Sequence, residues 1–256
     1  MKTKCLHKLF LLGGYDLEML TIKQLLEGRV GCVVLDKHLQ WHNARLSAYQ
    51  NELRQFPDSV IYGIELKEDV PLPRNYVRID HHNGCSNKPS ALEQVAQVLG
   101  VALNRCQQLV AANDRGYIPA MQALSASAEE IADVRRLDRE AQGVSDEDEL
   151  LAEQSIAKNR SHCGGLIVVK ALTPRFSPIC DRLFPYHRLL VYTDTEWVFY
   201  GEGKKELTIL YADEIQEGKV YHGGGDEGYI GSVQNVYGVG EINQFVEQLK
   251  CKYGNI

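Results

Sequence analysis

The stretch KLFLLGGYDLEMLTIKQLLEGRVGCVVLD, residues 8–36, changes its hydrophobic period twice. Residues 8–14 form a short apolar block closed by glycines, which reads as a strand. Residues 16–28 carry Leu17, Leu20 and Leu25 at helical spacing toward the core and stop at Gly28. Residues 29–36 return to a continuous apolar block, the pattern of a buried strand. The same alternation continues outward, with a helix expected over 43–56, ended near Pro57, and a strand over 59–66. A β-α-β-α-β order gives a mostly parallel sheet flanked by helices, so the expected class is α/β.

YVRID (76–80) supplies a further strand, and residues 89–100 and 104–124 read as helices, the first entered through Pro89 and Ser90. Residues 127–160 are highly charged and read as exposed helices, a solvated link between two domains. Strand character returns at GGLIVVKA (164–171), followed by a helix at 177–184 and by strands at 188–203 and at KELTILYA (205–212). A glycine-rich turn, HGGGDEGYIGS (222–232), precedes a last helix at 242–253. The expected division is an α/β domain at 1–126, a helical linker at 127–160 and a smaller C-terminal α/β domain at 161–256.

At roughly 100–200 residues per domain, 256 residues fit one large domain or two modest ones, and two is the preferred reading. With 44% apolar and 24% charged residues the chain can bury a sizeable core. A net charge of −6 argues against a broadly basic nucleic-acid surface. Seven cysteines without a CxxC pair point to reduced thiols in the cytosol rather than a zinc knuckle or a disulfide framework. The start, MKTKCLHKLFLLGGYD, resembles a signal peptide in its lysines, but its apolar centre is too short. No apolar run approaches the ~20 residues of a membrane helix. The expectation is a soluble, cytoplasmic protein with no membrane partner, for which a homo-oligomer is compatible.

Asp16, Asp36 and Asp80 each stand just beyond a different expected strand. In open α/β sheets ligands bind outside the carboxyl ends of the strands, so these carboxylates can converge. Each is equally suited to capping a helix, because Asp oxygens accept free backbone N–H groups. RIDHHN (78–83) adds two imidazoles. While a strand persists, Asp80 and His82 share one side and His81 faces the other, leaving one histidine to bind a ligand and one to support it. Gathered carboxylates repel and raise one another's pKa values unless a cation sits among them. Carboxylate and imidazole together suit manganese, iron or zinc, and two such ions clamp the oxygens of a phosphoester displacement.

These residues resemble the DHH family of phosphoesterases, named for the Asp-His-His motif. GGYDLEM, VVLDKH, RIDHHN and AANDRGY are similar, in order, to its four N-terminal motifs, and HGGGDEGYIGS to its C-terminal glycine motif. The resemblance implies a two-domain fold with a helical link and two divalent ions, manganese first, iron or zinc otherwise. It implies metal ligation by Asp16, Asp36 as a candidate bridge, one or both of His81 and His82, and Asp114. Asp80 would orient a histidine or assist proton transfer, and His81 is the second candidate for a catalytic role. Two departures stand out: Gly13 occupies the position of a family histidine, and Glu18 that of a family aspartate, still able to bind metal. His38, two residues after Asp36, is a candidate replacement for the imidazole. In the C-terminal motif His222 precedes Gly223, Gly224 and Gly225, and Asp226 stands where the family has a histidine. Glycines let backbone N–H groups approach a phosphate, and Arg175, Lys204 and Lys205 are candidate phosphate contacts. Tyr15, Trp41, Tyr117 and Tyr229 are placed either to stack on a base or to pack.

The expected function is metal-dependent hydrolysis of a small phosphorylated compound, nucleotide or short single-stranded oligonucleotide in an interdomain cleft. Two alternatives remain open: a degenerate module that binds a nucleotide or protein as a regulator, and acid/base chemistry on a non-phosphate substrate.

Overall fold

The computed structural model describes residues 8–85, 87–225 and 227–254. The chain forms two compact units, Met1–Gly143 and Val144–Ile256.

The first unit is built on four parallel strands, β1 (Lys8–Leu12), β2 (Cys32–Leu35), β3 (Val60–Ile64) and β4 (Tyr76–Ile79), in the spatial order β2-β1-β3-β4. All four carboxyl ends therefore open on one edge. Leu9 and Leu11 pack with Ile61, Leu46 and Tyr49 in one cluster. Phe10 points to the opposite face, as strand alternation requires, and stacks on Tyr62 at 4.8 Å. Each fully buried Leu or Ile contributes about 1.5–3 kcal/mol.

Helices α1 (Leu17–Leu26), α2 (Gln50–Gln55), α3 (Ala91–Leu99), α4 (Arg105–Ala123) and α5 (Ala128–Ala141) complete this unit. The expected core face of α1 is rotated: Glu18, Met19, Thr21, Ile22 and Leu26 are buried, while Leu17, Leu20 and Leu25 are only half-buried. Asp16 sets this phase, because its side chain accepts the Met19 N–H at 2.9 Å and starts the helix. The expected helix over 43–56 is mostly short turns, with α2 covering six residues. Helix α4 is kinked, with non-helical backbone at Gly116 and Tyr117 ahead of Pro119.

Residues 127–160 fall into two helices, α5 in the first unit and α6 (Asp146–Asn159) in the second, each begun by a Ser capping box. Helix α5 is more than a solvated face, since it buries Val134, Arg135, Asp138 and Ala141.

The second unit carries β5 (Arg160–Cys163), β6 (Leu166–Lys170), β7 (Arg188–Tyr192), β8 (Trp197–Gly201), β9 (Val220–Gly223) and β10 (Tyr229–Ser232), ordered β5-β6-β7-β8-β10-β9. Among the described residues of this unit, only β6 and β7 pair in parallel. Helix α10 (Val239–Tyr253) covers one face through Ile242, Phe245 and Leu249 against Trp197 and Phe199. Helices α6 and α7 (Ser177–Leu183) supply Ala152, Ile179 and Cys180 to the other. KELTILYA is not a strand but enters α8 (Lys204–Leu210) and α9 (Ala212–Gln216). Of the apparent alternation only Leu207 is buried, Ile209 being 72% exposed. The spacing that counts is Leu207 to Tyr211, one helical turn closed by a 2.9 Å hydrogen bond. The described cysteines are all free, and no helix among the described residues is long and apolar enough to cross a membrane.

Gly13 is required where β1 and β3 converge: a Cβ there would run into the backbone oxygens of Ile64 and Glu65. Gly13→Ala is expected to cost about 1–3 kcal/mol through the forced backbone shift, read as a lower denaturant midpoint at unchanged m-value. An unchanged midpoint would show that the two strands separate freely.

Candidate metal centre

The DHH tripeptide lies just past β4, and the residue that meets it comes from the neighbouring strand. Glu65 follows β3 directly, with a left-handed φ of 51°, and its N–H donates to Ile79 O at 2.8 Å. One oxygen of Glu65 lies 3.1 Å from His81 Nε2 and 3.5 Å from His82 Nδ1. Asp114, on the turn of α4 before its kink, places an oxygen 2.5 Å from the same His81 Nε2. Glu65, His81, His82 and Asp114 each offer a ligand atom, all within 4.8 Å of one another.

Both Glu65 oxygens, Asp114 Oδ2 and His81 Nε2 are buried without a hydrogen bond of acceptable geometry. Two carboxylates thus converge on one imidazole nitrogen, which has at most one proton to share between them. A cation bound by carboxylates and imidazole removes that shortfall, so the donor set fits a divalent metal. Asp16 and Glu18 share the neighbourhood. Glu18 is 1% exposed; one oxygen accepts the Leu92 N–H at 2.9 Å, and the other has no hydrogen-bond partner. Burial first, and then the charge of Asp114, push both carboxyls well above their usual range. Burial raises Glu65 too, partly opposed by its contact with His81.

Asp80 lies outside the four and contacts His82. It accepts from Arg78 Nη2 at 2.5 Å and from the His82 N–H at 2.8 Å, and its Oδ1 lies 3.4 Å from His82 Nδ1. Burial works against its charge, but His82 and Arg78 outweigh it and hold its carboxyl far below the ordinary value. His81 is buried and His82 half exposed.

Asp36 and His38 stand outside the four-residue group. Asp36 pairs with Lys23 at 3.0 Å and accepts the His38 N–H at 2.8 Å. The His38 side chain, 59% exposed, lies 3.5 Å from Asp36 and edge-on to Tyr15. Glu65 is the residue that sequence reading passed over. The rule that selected Asp16, Asp36 and Asp80, an acid just beyond a strand, selects Glu65 as soon as glutamate is admitted.

Asp114 is held from behind by α5. Arg135 donates to Asn113 Oδ1 at 3.0 Å and to Asp138 at 2.7 Å, and its guanidinium lies 4.6 Å from the Tyr117 ring centroid. Asp138 in turn accepts the Leu17 N–H at 3.4 Å, at the start of α1. Tyr117, considered above as a stacking residue, thus packs beneath Arg135 with φ 58° and ψ −148°, a conformation costing about 1–3 kcal/mol.

In the second unit, Lys204 is 5% exposed and donates to Gly225 O at 2.6 Å, and Gly224 and Gly225 both have φ of 71°. His222 is exposed on β9, and burial followed by Lys204 lowers its pKa. Tyr229 packs on Gly223, where a Cβ would strike its ring. Arg175 and Lys205 are exposed; Asp226 lies outside the described residues.

Replacing Arg135 by Met leaves Asp138 buried without its counter-charge, an expected loss of about 3–5 kcal/mol, measured by denaturation of the full chain; a loss below 1 kcal/mol would contradict the link. A pH dependence follows as well. Burial disfavours a charged His81, yet Asp114 and Glu65 prevail and push its pKa up to about 10. Asp16, Glu18 and Glu65 are shifted up as well. Groups with raised folded pKa values stabilise at low pH and lose that contribution as pH rises through the folded value. The melting temperature of chelator-treated protein should therefore fall from about pH 6.5 to pH 9, and saturating Mn2+ should flatten the slope. Asp80 acts with the opposite sign, but only in acid.

No protein-family model and no curated protein matches the sequence. Solved structures do. The DHH domain of a member of the s1p family of ribosomal proteins superposes with a TM-score of 0.51 at 11% identity, covering 98% of this chain and 87% of that one. A pGpG-specific phosphodiesterase, PggH from Vibrio cholerae, covers 98% of this chain and 99% of its own at 13% identity and a TM-score of 0.47. RecJ from Thermus thermophilus, in complex with Mn2+, gives 0.44 at 11% identity, over 97% of this chain and 52% of that one. At such identities the likeness concerns the fold alone, and the chain is similar in its α/β fold to that DHH domain.

Proposed function

We propose that the protein is a metal-dependent phosphoesterase acting on a small phosphorylated compound, with nucleotides and short oligonucleotides the preferred class. The observation that carries this reading is the convergence of Glu65, His81, His82 and Asp114 within 4.8 Å, several of their atoms buried and unpartnered. Those four residues would hold one divalent ion, manganese in first place. Asp16 and Glu18, whose carboxyls burial and then the nearby charge of Asp114 push up, are the carboxylates for a second. Asp36 is assigned to neither, because Lys23 already neutralises it.

Bound divalent metal would supply Lewis-acid stabilisation of the charge that develops on phosphoryl oxygens. The chain's own groups do the rest. Asp80 fixes the His82 ring through its Nδ1 side, as supporting carboxylates do for ligand histidines. With Asp80 on one ring nitrogen, the other is the one left to bind the ion. The buried walls around Glu65 and Glu18 exclude water and strengthen each electrostatic contact. In the second unit, Lys204 and the Gly223–Gly225 turn are proposed to contact phosphate.

A second reading, a binding module without hydrolysis, is favoured by one observation: Gly13 cannot carry an imidazole, because β3 backbone occupies the space. Elemental analysis of protein purified without chelator, combined with a phosphodiester and nucleotide screen, separates the two. Hydrolysis predicts about two ions per chain, activity abolished by chelator and restored by Mn2+, and loss of about 10²-fold or more in Glu65→Gln. Metal without turnover across the screen would favour the binding module. Equal activity in Glu65→Gln and the unmodified protein would refute the assignment of this centre.

A further inference from the structure

The hydrolytic reading leaves Trp41 without a task. Trp41 opens a short helical turn, Trp41–Asn43, in the loop after β2. Its indole lies against Gly14, where a Cβ would collide with the ring-fusion carbons. The ring centroid is 6.1 Å from that of His82, at an interplanar angle of 61°. Fixed on these two sides, the indole is still 46% exposed, whereas Trp197, the other tryptophan of the chain, is 1% exposed.

Two consecutive glycines therefore end β1 for different reasons. Gly13 is denied a side chain by the backbone of β3, and Gly14 by the Trp41 ring. The chain gives up side chains at this corner of the metal centre and fills the space with an immobilised aromatic surface. A phosphate group gains nothing from such a surface; a flat ring attached to the phosphate does, since stacking removes two apolar faces from water.

The geometry points to Trp41 as a stacking platform for the planar base of a nucleotide whose phosphate is held at the Glu65–His81–His82–Asp114 group. This specificity rests on the phosphoester reading above. A platform of this kind reads flatness and tolerates any base, because every base has a π-face.

The test compares adenosine 5′-monophosphate, ribose 5-phosphate and adenosine as ligands of the full chain, by calorimetry and by quenching of tryptophan emission. In Mn2+-loaded protein the nucleotide should bind about tenfold more tightly than ribose 5-phosphate, within the range that base–aromatic stacking provides. Trp41→Ala should bring that ratio to about one, and Trp41→Phe, which keeps an aromatic ring and guards against misfolding of the alanine variant, should retain most of it. Adenosine alone should quench the exposed Trp41 emission at millimolar concentration, with or without Mn2+. A ratio near one in the unmodified protein, or a ratio that survives in Trp41→Ala, overturns the platform. If ribose 5-phosphate fails to bind Mn2+-loaded protein at all, the phosphoester reading falls, and the adenosine arm alone decides the platform: quenching that Trp41→Ala abolishes supports it, and its absence overturns it.

Discussion

Two carboxylates, the buried Glu65 and the half-buried Asp114, face the same nitrogen of His81, and the rest of the first unit exists in a form that tolerates this. Removing an unpaired ion from water costs several kcal/mol even after relaxation. Left to themselves the end of β3 and the middle of α4 would separate. They are held by the β3–β4 ladder, continued by the bond from Glu65 N–H to Ile79 O, and by Glu18, which joins α1 to the N–H of Leu92 on α3. The apolar cluster around Leu9, Leu11, Ile61 and Tyr49 supplies the stability that offsets the charge. A stable scaffold carrying such a cluster of acids and imidazoles is the arrangement expected of a functional site.

Strand order distributes the acids. Because β3 lies between β1 and β4, an acid after β3 stands beside the DHH residues, while an acid after β2 is separated from them by β1 and β3. Glu65 therefore joins the histidines, and Asp36 turns to Lys23. Helix α5 does a related job from behind: Arg135 and Asp138 connect Asn113 and the strained Tyr117 to the start of α1. One buried ion pair thus couples the helix bearing Asp114 to the helix begun by Asp16. The highly charged composition of residues 127–160 conceals this, since most of its charges do lie in water.

Much of the architecture was legible in the sequence because it depends on local rules. Changes of hydrophobic period located the strands of the parallel sheet, and Pro89 with Ser90 marked the entry of α3, where Ser90 closes a capping box with Glu93. Errors arose where two periods fit equally well. KELTILYA alternates like a strand, yet it buries one side of a helix, because Leu207 and Tyr211 are a turn apart. In α1 the leucines suggested one phase and Asp16, by capping Met19, imposed another that turned Glu18 inward.

Of the centre itself, the sequence alone determined the chemistry on offer: acids beyond strands, the paired histidines, and the glycines at 13 and 14 that break the pattern. Partners were decided by tertiary structure. Nothing local distinguishes Asp36 from Glu65, since both follow apolar strands; the order of strands in the sheet, set by packing over the whole unit, put Glu65 against His81 and left Asp36 with Lys23. Likewise Gly13 reads as a missing histidine in one dimension. In three it is the only residue that lets β1 and β3 close, because the space its side chain would need is filled by the backbone that carries Glu65.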